Sequence, residues 1–395
     1  MKALTELKVA DLLKECNTSF EDHWELIDSA LKRLKQRLIE EALEAERTEF
    51  VSCSHGQRVP WRTDYRNGYW KRWLLLKDGR LLLRMPRLRN KAYESQIVPR
   101  YVQRMPEVDE ALKRVFLFGI STRRTGEALR PLLGEAISAQ TVSKIAMSLD
   151  EEVRSFHTRA LTDTYRYLFF DAIILKVKTG RGAKKKAILS AYGITLTGKR
   201  ELIDFVVTKS ESAAAWEGFL TNLARRGLTG DTLGLITIDG NQGLIAALDL
   251  VYPGVPRQRC WAHKLRNVAN NLRKHDRDAC VRQARELYSA RNKREALQAY
   301  FRWAKTWRPI APQAVACLEK NLEELFSFYS APEPLRKKLR TTNVIERAFR
   351  EVRRRTRPMS CFNNVQSIER IVYAVLSHLN DQWGKRPLKE FTQKA

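Results

Sequence analysis

The chain has 395 residues with 72 Lys and Arg against 45 Asp and Glu, a formal charge of +27; at roughly 100–200 residues per domain it holds two to four domains. No apolar run approaches the ~18–20 residues of a membrane helix, and the charged segment Met1–Asn17 lacks the apolar stretch of a signal peptide, so a soluble, cytoplasmic protein is expected. Such an excess of cations attracts a polyanion, DNA or RNA first; a merely solvated basic surface is the bland alternative.

Residues 1 to about 50 read as helical. Ile27, Leu31, Leu34 and Leu38 recur at steps of four, three and four and share one helix face, which suits either dimerisation or internal packing. The character changes over residues 60–90. Asn67-Gly68 is a turn signal, and the apolar runs Trp73–Leu76 and Leu81–Met85 flank Lys77-Asp78-Gly79-Arg80 as in a β-hairpin. Its Arg, Lys, Tyr and Trp suit phosphate contact and base stacking, or equally a local core. Between 108 and 155 the pattern is helical. Ser121–Leu129, a turn at Gly134 and Ser138–Ile145 resemble a helix-turn-helix. Arg123 and Arg124 on the first helix, and Gln140, Ser143 and Lys144 on the second, are the candidate DNA contacts; an ordinary helical hairpin is the alternative.

From residue 165 strands and helices alternate: strands at Leu168–Val177, Ala187–Thr195 and Glu201–Thr208, a helix over 211–226, a strand at Leu233–Asp239, a helix at Gly243–Leu250 and a short strand near Cys260. Residues 261 to about 330 are helical and charged, closed by the loop Ala331-Pro332-Glu333-Pro334, and helices resume over 343–357 and 365–380. Three antiparallel strands followed by helix–strand–helix–strand is the order of the ribonuclease H-like fold, in which the first and fourth strands lie side by side and parallel. Asp171 sits in the first and Asp239 ends the fourth.

A charged aspartate inside an apolar strand is costly unless paired or metal-bound. Asp171 therefore calls for a salt bridge, with Lys176 or Lys178 as partner, or for a divalent cation. Asp239-Gly240 alone is an ordinary turn. The third acid is Glu346, on a helix opened by Asn343, where a capping box is the competing role. Arg350, Arg353, Arg354, Arg355 and Arg357 follow as a basic face suited to phosphates. Three carboxylates suit Mg²⁺, an ion that prefers oxygen ligands, and two such ions can activate the attacking oxygen and stabilise the leaving one. Cys260 and His263 have metal-ligand spacing, but zinc needs about four ligands and no second pair stands at matching spacing; His263 is instead a candidate contact to the scissile phosphate or a metal-bound water, or part of a strand-to-helix junction with a buried cysteine. The six cysteines (16, 53, 260, 280, 317 and 361) are scattered and form no disulfide framework.

Asp171, Ile238-Asp239-Gly240, Gln258-Arg259-Cys260-x-x-His263-Lys264-x-Arg266-Asn267 and Thr342-Asn343-x-Ile345-Glu346-Arg347 resemble the Mutator-type transposases of bacterial insertion sequences. The likeness extends to Arg66–Tyr69 and Gly119–Arg123. It implies an α/β protein with a ribonuclease H-like mixed sheet interrupted by a helical insertion, behind a mainly helical N-terminal DNA-binding region. The expected divisions are residues 1–100, a helix-turn-helix-like region over 101–160, and a catalytic domain over 161–395 with its insertion at about 261–335. The resemblance also implies Asp171, Asp239 and Glu346 as ligands of Mg²⁺ or Mn²⁺ (two ions) and His263 as a further catalytic group. Its implied partners are the terminal inverted repeats, target DNA and further copies of the chain at the nucleoid. A non-catalytic DNA-binding protein and a nuclease of the same fold are the rival readings.

Overall fold

The computed structural model describes residues 20–90, 93–117, 120, 122–134, 136–179, 182–357 and 361–388; the first nineteen residues of the expected N-terminal helix lie outside this set. The chain divides into two compact units, one over residues 1–116 and 120–145, the other over 117–119 and 146–395. Among the described residues no helix is long and apolar enough to cross a membrane.

In the first unit, helix α1 (Phe20–Val51) packs against the hairpin of β1 (Arg66–Leu76) and β2 (Gly79–Leu88). Leu43 of α1 meets Leu74, Leu81, Leu83 and Met85, which recur at the period of two that puts side chains on one sheet face. Gly79 closes the turn at φ +113°, a conformation open to glycine. Asn67-Gly68 does not reverse the chain as its turn signal suggests. It lies inside β1, where the register slips between Arg66 and Tyr69 and Gly68 takes φ +68°, the geometry of a β-bulge. Leu31 and Leu38 of the α1 stripe stay 47% and 41% exposed, so half of that face is not internal core.

Helices α2 (Pro106–Leu117), α3 (Thr122–Ala128), α4 (Arg130–Leu133) and α5 (Ala139–Met147) follow. Val142 and Ile145 of α5 pack with Leu112, Leu133 and Ile137, while Gln140, Ser143 and Lys144 lie exposed on the opposite face. Gly126 fits only because it has no side chain: a Cβ there would stand 1.8 Å from the Ile137 carbonyl oxygen.

The second unit opens with α6 (Leu149–Thr158) and is built on a five-stranded mixed sheet: β3 (Tyr165–Thr179), β4 (Gly182–Thr195), β5 (Arg200–Thr208), β6 (Leu235–Ile238) and β7 (Arg257–Arg259). The order is β5-β4-β3-β6-β7; β3, β4 and β5 run antiparallel, while β6 is parallel to both β3 and β7. Helices α7 (Ala213–Arg225) and α8 (Gln242–Val251) bury Trp216, Leu220, Leu223, Leu244 and Leu248 against Leu168, Phe170, Ile236 and Ile238 on one face. Side chains alternate along a strand, so Phe169, Asp171 and Thr237 face the other way.

That second face is covered from the C-terminal side. After β7 come α9 (Trp261–Asn270), α10 (Arg277–Leu287), α11 (Lys293–Trp307), α12 (Pro312–Glu319), α13 (Leu322–Phe326), α14 (Glu333–Leu339), α15 (Asn343–Thr356) and α16 (Val365–Gly384). The proline-bearing segment at 331–334 starts a helix rather than a loop, with a proline in the first turn of α14, where its missing N–H costs nothing. α15 packs on β3 and α16 on β5. The link between α15 and α16 is pinned to β3, Phe362 N–H donating to Lys176 O at 3.0 Å and accepting from Lys178 N–H at 2.7 Å.

Candidate active site

β3 and β6 pair in parallel with Phe170 opposite Ile238. The next residue on each chain is an aspartate, so Asp171 and Asp239 stand side by side where the pairing ends, on the face turned toward α15. Asp171 is 7% exposed, and its Oδ1 accepts from the Ala172 N–H at 2.8 Å. The salt bridge considered for it fails on strand parity: Lys176 and Lys178 are exposed on the opposite face of β3. Burial, then the charge of Asp239 and, less, that of Glu346, push the Asp171 carboxyl from 3.8 up to about 7, against the pull of the Ala172 amide and His263. The aspartates are thus close enough to repel each other. Asp239 Oδ1 accepts from the Asn241 N–H at 2.9 Å. Gly240 turns the chain there at φ +107°, and a Cβ on it would stand 2.6 Å from an Arg259 guanidinium nitrogen.

Glu346, in the first turn of α15, lies within electrostatic reach of Asp171, but among the described residues its ligand atom groups within 4.8 Å with those of Cys260 and His263 and not with the two aspartates. The helix is capped by Thr342, not Asn343, and neither residue makes a side-chain cap bond, so the capping-box role does not hold. One Glu346 carboxylate oxygen lies 3.6 Å from His263 Nε2 and has no hydrogen-bond partner among the described residues. The backbone fixes these elements together. Cys260 N–H donates to Ile238 O at 2.8 Å and Trp261 N–H to Arg340 O at 3.0 Å. Cys260 Sγ accepts from the Thr342 N–H at 3.3 Å and hydroxyl at 3.4 Å. The end of β6, the start of α9 and the start of α15 therefore form one junction.

His263, in the first turn of α9, sits beside the Cys260 thiol. That neighbour raises the imidazole to about 9 against the opposing effect of burial, with Asp171 and Glu346 adding to the rise. Burial would raise the Cys260 thiol, but His263 and the Thr342 donors bring it below its ordinary value. Other members of the same motif are structural. Gln258, wholly buried, donates to Leu325 O at 3.0 Å and accepts from Phe328 N–H at 2.8 Å. Arg259 pairs with Glu324, and Lys264 Nζ holds Cys317 O and Asn321 Oδ1 at 3.0 and 2.9 Å. These contacts fasten the helical segment to β7.

Two neighbours of the acids carry no sequence signal. Ser190 lies directly across β4 from Asp171, fully buried with a hydroxyl lacking a partner among the described residues. Glu211, just before α7, is half-buried, and burial followed by the charge of Asp239 pushes its carboxyl up. Both follow from register and loop packing, which a linear pattern does not contain.

A cavity of about 1000 Å³ opens beside the acids, lined by Arg200, Arg266, Arg285, Lys337, Lys338, Arg340, Arg347 and Arg350 with Tyr192, Trp261, Tyr288 and Trp383. None of the three acids lines it; α9 and α15 form walls of both. On α15, Arg350, Arg353 and Arg354 are exposed, Arg354 lying 3.7 Å from a Glu351 oxygen, while Arg355 is half-buried and bonded to Glu351 at 2.6 Å. Lys144, Gln140 and Ser143 belong to the first unit's α5. Arg124 is exposed on α3, and the Arg123 side chain lies outside the described set.

The second unit is thus an α/β protein with an acidic pocket at the adjoining ends of two parallel strands and a basic cleft next to it. Comparison with known proteins gives the family. The model of the Mutator family of transposases matches residues 8–386. The chain is 33% identical over 353 residues to the transposase for insertion sequence element ISRM5 of Rhizobium meliloti, covering 89% of this chain and 88% of that one. It is 35% identical over 349 residues to the transposase for IS406 of Burkholderia multivorans, covering 88% and 89%. To the transposase for IS256 in transposon Tn4001 of Staphylococcus aureus it is 29% identical over 359 residues, covering 90% and 91%. The chain belongs to the Mutator family of transposases.

Proposed function

We propose that this chain binds the terminal inverted repeats of an insertion sequence and cleaves and joins DNA strands on a ribonuclease H-like core, with Asp171, Asp239 and Glu346 as ligands of two Mg²⁺ or Mn²⁺ ions. One observation carries the reading: Asp171 and Asp239 follow the paired residues Phe170 and Ile238 of adjacent parallel strands, and Glu346 comes within electrostatic reach of Asp171 from the helix above. The residues fit such ions. Asp171 is buried without a compensating cation of its own strand, a Glu346 oxygen is buried without a donor, and an all-oxygen donor set suits hard cations. When bound, the ions would lower the pKa of the attacking hydroxyl and stabilise the leaving oxygen.

The chain's own groups supply position and charge. Asp171 is fixed by a long strand paired on both sides, and Asp239 by its bond to the Asn241 amide, so neither has to be ordered when DNA arrives. His263, held protonated beside Cys260, offers a cation at the pocket's edge to a phosphate oxygen. Arg350 and Arg353 are exposed and placed to take flanking phosphates, whereas Arg355, and more loosely Arg354, is paired with Glu351. The basic cavity, with the partly exposed Tyr288 and Trp383 at its wall, extends the path for a strand. Gln140, Ser143 and Lys144, at one exposed face of α5, are the proposed base and phosphate contacts of the first unit, with Arg123 and Arg124. The exposed Leu31 and Leu38 of α1 support assembly of more than one copy on DNA.

The test uses purified protein, end-labelled inverted-repeat DNA and Mg²⁺. Strand cleavage followed by joining to target DNA is the expected result. Binding without cleavage would overturn the catalytic reading, and cleavage that never leads to joining would make the protein a nuclease.

A further inference from the structure

A second donor set meets at Glu346. Cys260, His263 and Glu346 each offer one ligand atom, and the three atoms lie within 4.8 Å of one another. They come from the residue capping α9, the first turn of α9 and the first turn of α15, so the outer two stand 86 positions apart in sequence (346 − 260). One sulfur, one imidazole nitrogen and one carboxylate oxygen make a borderline-soft set. That set suits Zn²⁺, whereas Mg²⁺ selects oxygen.

Three features distinguish this cluster from a buried cysteine beside a histidine. Cys260 is 1% exposed, yet its sulfur accepts two hydrogen bonds from Thr342; such donors favour the thiolate and orient a ligating sulfur. His263 Nδ1 and a Glu346 oxygen are buried and lack hydrogen-bond partners among the described residues, a state that buried polar atoms rarely keep. In a tetrahedral site with bonds of about 2.0–2.3 Å the ligand atoms stand about 3.3–3.8 Å apart. The closure required is therefore at most about 1–1.5 Å, within reach of side-chain rotation at His263 and Glu346, which are 23% and 29% exposed.

We propose that Cys260, His263 and Glu346 form a Zn²⁺-selective site, completed by water, that shares Glu346 with the carboxylate cluster. Thiolate and carboxylate together balance the dication, and the protons on Cys260 and His263 leave as it binds. Zn²⁺ here draws a Glu346 oxygen away from Asp171 and Asp239, so it opposes Mg²⁺-supported cleavage. The site stands on its own geometry; the competition rests on the role proposed above for Glu346.

Co²⁺ is the probe, because a cobalt–thiolate bond absorbs in the near ultraviolet. The full-length reduced chain is titrated with Co²⁺, then with Zn²⁺ or Mg²⁺. The expected result is a thiolate band saturating at one Co²⁺ per chain, erased by stoichiometric Zn²⁺ and untouched by a large excess of Mg²⁺. Cys260→Ser and His263→Ala each remove the band, Glu346→Gln weakens Co²⁺ binding by about tenfold or more, and Asp239→Asn keeps it. Circular dichroism confirms folding, and if Cys260→Ser does not fold, His263→Ala decides. A folded wild-type chain without the band, or a band that survives Cys260→Ser, overturns the site. Stoichiometric Zn²⁺ is expected to slow cleavage of labelled inverted-repeat DNA in Mg²⁺; unchanged cleavage while Zn²⁺ still erases the Co²⁺ band overturns the competition. No cleavage under any condition, with the band intact, counts against the transposase chemistry and not against the site.

Discussion

Replacing Asp171 by asparagine should stabilise the metal-free protein while destroying its response to Mg²⁺. The carboxyl is raised from 3.8 to about 7 by burial and by Asp239. Below about pH 4 it is protonated in both folded and unfolded chains and contributes nothing. Between about pH 4 and 7 the unfolded chain gives up this proton and the folded one keeps it, so folded stability falls as pH rises, and the loss is complete above about pH 7. At ~1.4 kcal/mol per pKa unit, the loss is on the order of a few kcal/mol. Asparagine keeps an oxygen for the Ala172 N–H and carries no charge. At ~2–4 °C per kcal/mol for a unit of this size, Asp171→Asn should raise the metal-free melting temperature at pH 8 by roughly 5 °C or more, with little change at pH 4. Mg²⁺ at about 100 times its Kd should add about 2.7 kcal/mol to the wild type and almost nothing to the variant. The assay is thermal unfolding at pH 4 and pH 8, with EDTA or Mg²⁺. A variant less stable than wild type at pH 8 in EDTA, or Mg²⁺ stabilising both equally, would refute the repulsion argument.

Further expectations follow from the same geometry. Asp171→Asn, Asp239→Asn and Glu346→Gln should each lower strand cleavage by more than the ~100-fold that loss of an outer-sphere partner costs, with DNA affinity in a filter-binding assay changed by only a few-fold. Affinity for inverted-repeat DNA should fall steeply with salt. Alanine at Arg350 or Arg353 should reduce the log–log salt slope by about one each, while Arg355→Ala, removing a side chain already bonded to Glu351, should leave it nearly unchanged. Gly240→Ala should cost about 1–3 kcal/mol in thermal unfolding, from left-handed backbone strain added to the clash with Arg259.

The second unit was readable in the sequence to the extent that local pattern determines it. The apolar runs around Asp171 and before Asp239 are unambiguous strands, and their order places the two acids side by side; the pairing of Phe170 with Ile238 agrees. Strand parity, visible in the sequence, already put Lys176 and Lys178 on the wrong face to neutralise Asp171. The choices that required three dimensions went differently. Asn67-Gly68 carries the chemistry of a reversal, but the strand continues through it because Tyr69 and Trp70 find partners on β2. Asn343 has the side chain of a helix cap, yet Thr342 takes the position, with its hydroxyl spent on Cys260. Arg355 belongs to the basic run but is turned inward to Glu351. Gln258 and Lys264 stand in the same motif as His263 and serve packing, a distinction that spacing does not encode. The meeting of Cys260 with Glu346 depends on how the intervening helices return the chain to β6, and no local signal reports it.

The central claim is that Asp171, Asp239 and Glu346 share divalent ions. A crystal of the full-length protein soaked in Mn²⁺ and measured at the manganese absorption edge tests it most directly. Anomalous peaks bracketed by these three carboxylates, absent in an Asp239→Asn crystal, are the expected result; manganese found only elsewhere on the chain, with the three side chains ordered and empty, would contradict it.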